Sequence, residues 1–208
     1  MARYNGPSCR LCRDQGTKLF LKGDRCYSEK CGVVKRNCKP GIHGKRRSKI
    51  SDYGVQLKEK QKVKNIYGIL EKQFYLYYEK ASQIKGVTGE ILLQLLERRL
   101  DNVVYRMGVL SSRTEARQWV LHGHITVNGR KVNIPSYLLK SGDIVEIKEK
   151  SKQLPRIKEI LDSDSSRPCP EWMEFNSQER KGTFRVLPER HQLDSSINEQ
   201  LIVEFYSR

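Results

Sequence analysis

Apolar residues recur every three or four positions through the middle of the chain, which predicts a succession of amphipathic helices. The first helix follows the capping pair at 51–52, and the second carries Phe74 and Tyr78 on its apolar face. A third apolar stripe opens at Thr88 and continues to Met107. We expect Phe74 and Tyr78 to be core residues, because aromatic residues at helical spacing are more often buried than exposed to a ligand.

The pattern then changes to one more helix followed by short strands. The string 112–115, Ser-Arg-Thr-Glu, is a capping box, and it predicts a helix that runs to His122. Residues 125–132 alternate around an Asn-Gly pair, which predicts a β-hairpin, and 144–147 predicts a further strand. Together these signals predict a small helix–turn–helix that packs on a few antiparallel strands.

Positive charge is concentrated at the start of the chain. Residues 1–50 hold fourteen Lys or Arg against three Asp or Glu, so they supply +11 of the formal net charge of +16. The next three segments, cut at residues 100 and 150, carry +3, +3 and −1. Such local basicity implies a strongly negative partner, and nucleic acid is the commonest one.

Four cysteines in this basic segment have the spacing of a zinc site. Two residues separate Cys9 from Cys12, and four separate Cys26 from Cys31. In a reducing compartment such cysteines are better interpreted as metal ligands than as disulfides. We therefore predict one structural Zn²⁺ ion in an N-terminal zinc knuckle.

Alternatives to this ligand set remain open. The cysteines could instead be reduced and buried, or form two disulfides. Cys38 lies close enough to replace Cys31, and His43 could also reach the metal. We interpret Cys169, far along the chain, as a loop or core thiol.

Cations in four regions are predicted to contact RNA phosphates. The linker from Lys35 to Lys49 lacks apolar periodicity, and we expect it to be extended. Arg113 and Arg117 are four residues apart and therefore share one helix face. The predicted RNA-binding residues are Arg3, Arg10, Arg13 and Lys22 in the knuckle; Lys35, Arg36, Lys39, Lys45, Arg46, Arg47 and Lys49 in the linker; Lys58 and Lys62 in the first helix; and Arg113, Arg117, His122, His124, Arg130 and Lys131 further along.

The sequence also argues against several other classes of protein. No run of about 18 apolar residues occurs, and the first residues contain no apolar run. We therefore expect a soluble, cytosolic-type protein with no signal peptide and no membrane partner. The sequence has no nucleotide-binding Gly-x4-Gly-Lys-Ser/Thr pattern and no obvious catalytic constellation, so we expect no small-molecule substrate.

Short strings over nearly the whole chain match one known family. They are Ala2–Tyr4 and the four cysteines, Lys60–Lys62, Ile66–Gly68, Arg99–Gly108, Ser112-Arg113, Ala116–Gln118, His122–Ile125, Val127–Gly129, Ile134–Tyr137 and Glu204–Arg208. The chain resembles the bacterial small-subunit ribosomal protein S4 family, and its four cysteines are similar to those of the zinc-bearing branch. Residues 162–178 match this family least, and we assign them no role.

This resemblance implies a structural constituent of the small ribosomal subunit in the cytoplasm. It implies binding of small-subunit ribosomal RNA at a multi-helix junction, early in assembly of the subunit body. Neighbouring ribosomal proteins would be partners, as would messenger RNA near its entrance, with an influence on decoding accuracy. The resemblance further implies that an RNA-binding module is inserted within a helical domain completed by the C-terminal segment, which places the apolar string 201–205 against that domain.

Two other functional classes remain as alternatives. The same small module resembles one appended to RNA-modifying enzymes, and the string 99–101, Arg-Leu-Asp, looks like the catalytic string of pseudouridine synthases. However, Asp101 opens an amphipathic helix in a chain with no room for the large sheet domain of those enzymes, so we interpret it as a helix-start or salt-bridge residue. A DNA-binding regulator would need a helix that reads base edges, and usually two-fold symmetry; the sequence shows neither.

The predicted fold class is α+β. It comprises a zinc knuckle and basic extension at 1–50, a helical domain at 51–96 completed by 179–208, and an RNA-binding module of helices on a short antiparallel sheet at 97–160. Residues 161–178 form a variable segment.

Overall fold

The structure is a computed structural model and describes residues 3–45, 49–155, 168–176 and 179–207. The chain divides into two compact units, Met1–Leu92 with Asp194–Arg208, and Leu93–Leu193. Helices and an antiparallel sheet make the fold α+β, as predicted. In the part of the chain that is described, no helix is long and apolar enough to cross a membrane.

The described elements follow one another as helices, a hairpin, further strands and a final helix. The helices are α1 (Ser8–Gln15), α2 (Gly32–Lys35), α3 (Asp52–Tyr67), α4 (Glu71–Gln83), α5 (Thr88–Glu97), α6 (Leu100–Arg106), α7 (Arg113–His122), α8 (Glu149–Lys152) and α9 (Glu199–Tyr206). The strands are β1 (Ile125–Val127), β2 (Arg130–Lys131), β3 (Ile144–Ile147), β4 (Met173–Asn176) and β5 (Lys181–Phe184).

Helices α3 and α4 of the first unit form where the apolar spacing predicts them. The Ser51 hydroxyl accepts a hydrogen bond from the backbone N–H of Gly54 and so caps α3. On α4, Phe74 is fully buried, as predicted, but the second core aromatic is Tyr77 and not Tyr78. The Tyr78 ring is half-buried and lies against the ring of Tyr206, with ring centroids 4.7 Å apart.

The C-terminal helix α9 packs on α3 within this unit, as the resemblance implies. Ile202 is fully buried, and Gln56 Nε2 donates to Glu204 Oε2 over 2.9 Å. Lys60 is also buried, forms an ion pair with Glu71 and lies 4.8 Å from the centroid of the Phe205 ring. A buried cation is stabilised here by a carboxylate and an aromatic face together.

Glu71 should make the stability of this unit depend on pH. Partial burial would raise the pKa of Glu71, but hydrogen bonds from Lys60 and Tyr206, the Lys60 charge and a Lys64 hydrogen bond outweigh it and lower the pKa below 4.5. The stabilisation is therefore present above pH 4.5 and is lost as the pH falls through the lowered pKa. We expect the protection of the α9 amides against hydrogen exchange, relative to the intrinsic exchange rate at each pH, to fall on acidification, and we expect Glu71→Gln to remove that acid dependence.

Glu79→Gln is the matched control for this experiment, because Glu79 is exposed on the same helix α4. This variant should show the same acid dependence of α9 exchange as the parent protein. An acid profile that Glu71→Gln leaves unchanged would contradict the role of Glu71.

The second unit is built around one five-stranded antiparallel sheet in the order β2-β1-β3-β5-β4. The predicted hairpin is confirmed: Asn128 and Gly129 have φ of +49° and +75° in the turn between β1 and β2. Side chains from α6, α7 and the sheet share one buried cluster, in which Trp172 and Phe184 pack edge to face. Ser112 caps α7 through the N–H of Glu115, as predicted.

The predicted continuous stripe from Thr88 to Met107 is interrupted in the structure. Helix α5 ends at Glu97, and Arg99 takes an extended conformation and forms an antiparallel bridge with Leu138. The N–H of Leu100 then donates to the carbonyl of Tyr137 over 2.9 Å. Because 98–99 pairs with a distant segment, the stripe divides into α5 and α6.

Two predicted boundaries also differ from the structure. The described part of the segment 161–178 contains β4 and the buried side chain of Trp172, so it belongs to the sheet and its core. The segment 179–208 is divided, because β5 pairs with β3 and β4 whereas α9 packs on α3. Strands β4 and β5 pair with each other as a hairpin, but their only apolar residues are Met173, Phe175 and Phe184, which is too weak a pattern to place either strand from the sequence.

Candidate nucleic-acid interface

The four predicted metal ligands come together at one small cavity in the first unit. Cys9 and Cys12 lie on the first turns of α1, Cys26 ends a short 3-10 turn, and Cys31 precedes α2. All four line the same cavity. Among the described residues, that lining includes neither Cys38 nor His43.

Backbone groups and burial give these thiols a defined environment. The N–H of Lys22 donates to Cys26 Sγ over 3.3 Å. Burial raises the pKa of the Cys12 thiol, and the nearby Cys26, Cys9 and Cys31 raise it further, although a hydrogen bond from the Leu19 backbone opposes them. A divalent cation bound at Cys12 would oppose this effect and favour its thiolate form.

Gly32 allows the start of α2 to approach α1 closely. A Cβ atom at position 32 would lie 2.9 Å from Cys9 Cβ and 3.4 Å from Cys9 Sγ. A side chain there would push Cys9 away from the cavity. This requirement cannot be seen in the sequence, because only the fold places Gly32 against Cys9.

The chemistry of these donors fits zinc, which prefers thiolate sulfur in structural sites. Among the residues that the structure describes, however, no group of three or more His, Cys, Asp or Glu side chains is arranged so that it could hold a metal ion. The cysteines are free thiols in this structure. A bound metal is therefore an inference from the donor set and its shared cavity.

The other two cysteines lie in different surroundings. Arg13 donates from Nε to the Cys38 carbonyl over 3.0 Å, and its Nη2 lies 3.5 Å from Cys38 Sγ. Cys169 packs against the core of the second unit, and burial raises the pKa of its thiol. Cys169 is thus a thiol at the core edge, as predicted.

Many of the predicted RNA-binding cations are exposed. In the first unit, the exposed ones include residues on both sides of the cysteine cluster, and in the second unit they lie at the end of α7 and on β2. These residues are Arg3, Arg10, Lys22, Lys35, Arg36, Lys39, Lys45 and Lys49, and then His122, Arg130 and Lys131. Arg46 and Arg47 lie outside the described residues.

Several other predicted cations are engaged inside their own unit. Arg13 holds the 38–39 loop, since it donates to the carbonyls of Cys38 and Lys39. Lys62 is only 13% exposed and contacts the Glu59 carboxylate and the Ser196 carbonyl, and Lys58 is half-buried. For Arg13 and Lys62 the structure shows a role within the fold and not an open phosphate contact.

The prediction that Arg113 and Arg117 face phosphates together is wrong for Arg117. Arg117 is 8% exposed, and its Nη1 donates to Asp101 Oδ2 over 3.0 Å. Asp101 also accepts from Arg99, over 3.0 Å at Oδ1 and 2.7 Å at Oδ2. The buried carboxylate draws Arg117 inward, which leaves the half-buried Arg113 nearer the surface.

Asp101 has the predicted structural role of a helix-start and salt-bridge residue. It begins α6 and joins two buried arginines, Arg99 and Arg117, in ion pairs. The carboxylate is 6% exposed. An acid held in this way organises the module and has no access to a substrate.

His122 ends α7, and His124 follows the capping Gly123. The centroids of the two imidazole rings are 6.0 Å apart. His124 lies against Trp119, and its Nδ1 is 2.9 Å from the Ser151 hydroxyl. Burial lowers the pKa of His124, as do the positive charges of His122, Lys148 and Lys131. This end of the unit is therefore a cluster of cations and imidazoles that suits a polyanion.

A buried polar network beneath Arg113 was not predicted. The carboxylate of Glu97 is fully buried and binds both Asn102 and Arg106. The only signal in the sequence was a charged residue within the apolar stripe of α5.

The chain is similar over its whole length to known proteins. Residues 3–97 match the family described as the ribosomal protein S4/S9 N-terminal domain, and residues 98–145 match the S4 domain. The chain is 57% identical to the small ribosomal subunit protein uS4 of Pelotomaculum thermopropionicum, over 100% of both chains. It is 59% identical to the uS4 proteins of Geotalea daltonii and Thermodesulfovibrio yellowstonii, again over 100% of each.

Proposed function

Because this chain belongs to the uS4 family of small ribosomal subunit proteins, we propose that it binds a multi-helix junction of small-subunit ribosomal RNA and nucleates assembly of the subunit body. Family membership makes it a structural, non-enzymatic constituent of the cytoplasmic small subunit that binds ribosomal RNA. The proposed extension is the junction and the early place in assembly. The enzyme and DNA-regulator alternatives are set aside by the full-length match.

The single observation that best supports junction binding is the distribution of exposed cations over both units. Arg10, Lys22 and Lys35 surround the cysteine cluster, and Arg130 and Lys131 lie on the hairpin strand β2. Phosphate contacts at two separately folded units can hold more than one RNA helix. Recognition of RNA by shape, phosphates and 2′-hydroxyls is suited to such a surface.

We further propose that one Zn²⁺ ion crosslinks Cys9, Cys12, Cys26 and Cys31. The support is the shared cavity of the four thiols and the tight approach of Gly32 to Cys9. The ion would supply a structural crosslink, because the described residues 3–45 of this unit contain only short helices. It would keep the surrounding cations in place for RNA.

Contacts with neighbouring ribosomal proteins follow from membership of the subunit. A position beside the messenger RNA entrance, with an influence on decoding accuracy, is a finer proposal that rests on the family resemblance. Ribosomes that carry variants of the exposed cations should then differ in misreading of reporter codons. An unchanged error rate across all such variants would reject this part of the proposal.

The basic linker can be tested through the salt dependence of binding. The triple variant Lys39→Gln, Lys45→Gln and Lys49→Gln should lower the logarithmic salt slope of RNA affinity by about 2 to 3, at roughly 0.7 to 0.9 for each phosphate contact. The measurement is a filter-binding titration of the full chain with the junction RNA across a potassium chloride series.

A second triple variant provides the matched control for the linker. It changes three exposed lysines of the same unit that were not predicted to bind RNA. They are Lys72 and Lys80 in α4, and Lys85 just after it. Their exchange for Gln removes the same amount of charge as the linker variant. An equal change of salt slope in both variants would show that binding depends only on total charge, and it would contradict the linker's role.

A further inference from the structure

The half-buried Arg113 is the outermost member of a chain of hydrogen-bonded polar groups, whose inner members are buried. The first of them, the Glu97 carboxylate, is fully buried. It accepts from Arg106 Nη2 over 2.6 Å and Nε over 3.1 Å, and from Asn102 Nδ2 over 2.5 Å. Both carboxylate oxygens are therefore engaged, which fixes the orientation of this group.

Asn102 transmits this orientation to Arg113. Asn102 is 2% exposed, and its Nδ2 donates to the Glu97 carboxylate and also to the Glu97 carbonyl over 3.1 Å. Because the amide nitrogen is turned toward Glu97, the amide oxygen is turned toward Arg113. That Oδ1 atom accepts a hydrogen bond from Arg113 Nε over 2.8 Å.

The ring of Tyr105 supports the same guanidinium from a second direction. The Arg113 Cζ atom lies 4.4 Å from the centroid of the Tyr105 ring, which is itself buried. Arg113 is thus held at its Nε edge by Asn102 and on one face by Tyr105. A guanidinium held at both places is already restricted in orientation, so it loses little conformational entropy when it binds a ligand.

We propose that Asn102, anchored by Glu97, is a positioning residue that holds Arg113 ready to bind a phosphate of the RNA. This inference rests on the proposed function. The planar guanidinium matches a phosphate with parallel N–H donors, whereas a lysine at the same place would act as a flexible point charge. The role of Asn102 is thus to orient an existing charge and not to add one.

The test is a double-mutant cycle on junction-RNA affinity, measured with the full chain across a salt series. Asn102→Ala should weaken binding by about tenfold, the loss typical of one oriented charge-assisted hydrogen bond, while the salt slope stays the same. Arg113→Ala should weaken binding and lower the slope by about 0.7 to 0.9. Adding Asn102→Ala to Arg113→Ala should cause no further loss.

A purely structural role for Asn102 predicts the opposite result in the cycle. In that case Asn102→Ala would weaken binding equally with and without Arg113, and the proposal would be overturned. An Arg113→Ala variant that binds as tightly as the parent would also overturn it.

Arg113→Lys keeps the proposal testable if Asn102→Ala does not fold. This variant retains the charge but cannot keep both the Asn102 bond and the stacked plane, so it should bind about tenfold more weakly. Arg185→Lys is the matched control, since Arg185 is 55% exposed in the same unit and pairs with Glu174. Parent-like binding by Arg113→Lys would reject the inference.

The same titration separates this inference from the function on which it rests. If the parent protein shows no preference for the junction RNA, the proposed function fails. If the parent shows that preference and the Asn102 and Arg113 variants bind the junction RNA as tightly as the parent, only the positioning role fails.

Discussion

Removal of the proposed zinc ion is expected to unfold the region around α1 and α2. Structural zinc sites of this kind contribute on the order of 10 kcal/mol of apparent binding free energy, and here the thiols that would hold the ion join segments without a large core of their own. Elemental analysis should find one zinc per chain. Chelation should collapse the dispersed amide resonances of residues 8–35 in a ¹H–¹⁵N spectrum.

Substitution of the cysteines distinguishes ligands from bystanders. Cys26→Ser should abolish zinc retention, whereas Cys38→Ser and Cys169→Ser should retain one ion, because neither residue lines the cavity within the described chain. Gly32→Ala should weaken retention without removing a ligand, since its Cβ would press on Cys9. A metal-free purified protein whose spectrum does not respond to chelator would contradict the zinc proposal.

Replacement of Asp101 by Asn is expected to destabilise the second unit by about 3 to 5 kcal/mol. The exchange keeps the shape of the side chain, so no cavity is formed, but it leaves two buried guanidinium groups without their shared carboxylate. Such a loss is a large part of the roughly 5 to 15 kcal/mol that stabilises a typical domain. Both tryptophans, Trp119 and Trp172, lie in this unit, so tryptophan fluorescence during urea unfolding reports on it selectively.

An exposed ion pair in the same unit provides the control for Asp101. Glu149 pairs with Lys152 but is 84% exposed, so Glu149→Gln should change stability by less than about 0.5 kcal/mol. If Asp101→Asn costs no more than this control, the buried ion pairs are not important for stability.

Local pattern was sufficient for elements whose signals are contiguous. The Ser51 cap, the Asn128-Gly129 turn and the strand 144–147 each combine a turn or capping residue with the right periodicity, and each is present. The helical spacing of α4 was also found, but it could not choose between Tyr77 and Tyr78. The spacing also could not show that Tyr78 lies against Tyr206 of α9, which is far away in sequence.

Elements and contacts that depend on distant segments could not be predicted locally. The pairing of β5 with β3 joins segments that are far apart in sequence, and the break between α5 and α6 depends on pairing with Leu138. Arg117 was predicted to reach solvent because a helical wheel places it beside Arg113. The wheel could not show that Asp101 lies beneath it.

The cysteine quartet could be singled out from spacing alone, and its metal binding stays a prediction. Its four members line one cavity, while Cys38 is held by Arg13 instead. The individual phosphate contacts are less predictable, because a lysine or arginine can equally serve an internal carboxylate or carbonyl. Lys62 is an example, since it contacts Glu59 and the Ser196 carbonyl.

The most direct test of the central claim is the affinity of the full-length, zinc-loaded protein for the multi-helix junction of small-subunit ribosomal RNA. A structured RNA of equal length and unrelated sequence should be titrated beside it over the same salt series. The account predicts a preference for the junction of roughly a hundredfold or more, equivalent to about 2.7 kcal/mol. Equal affinity for both RNAs at every salt concentration would contradict junction recognition and leave only nonspecific binding through the protein's positive charge.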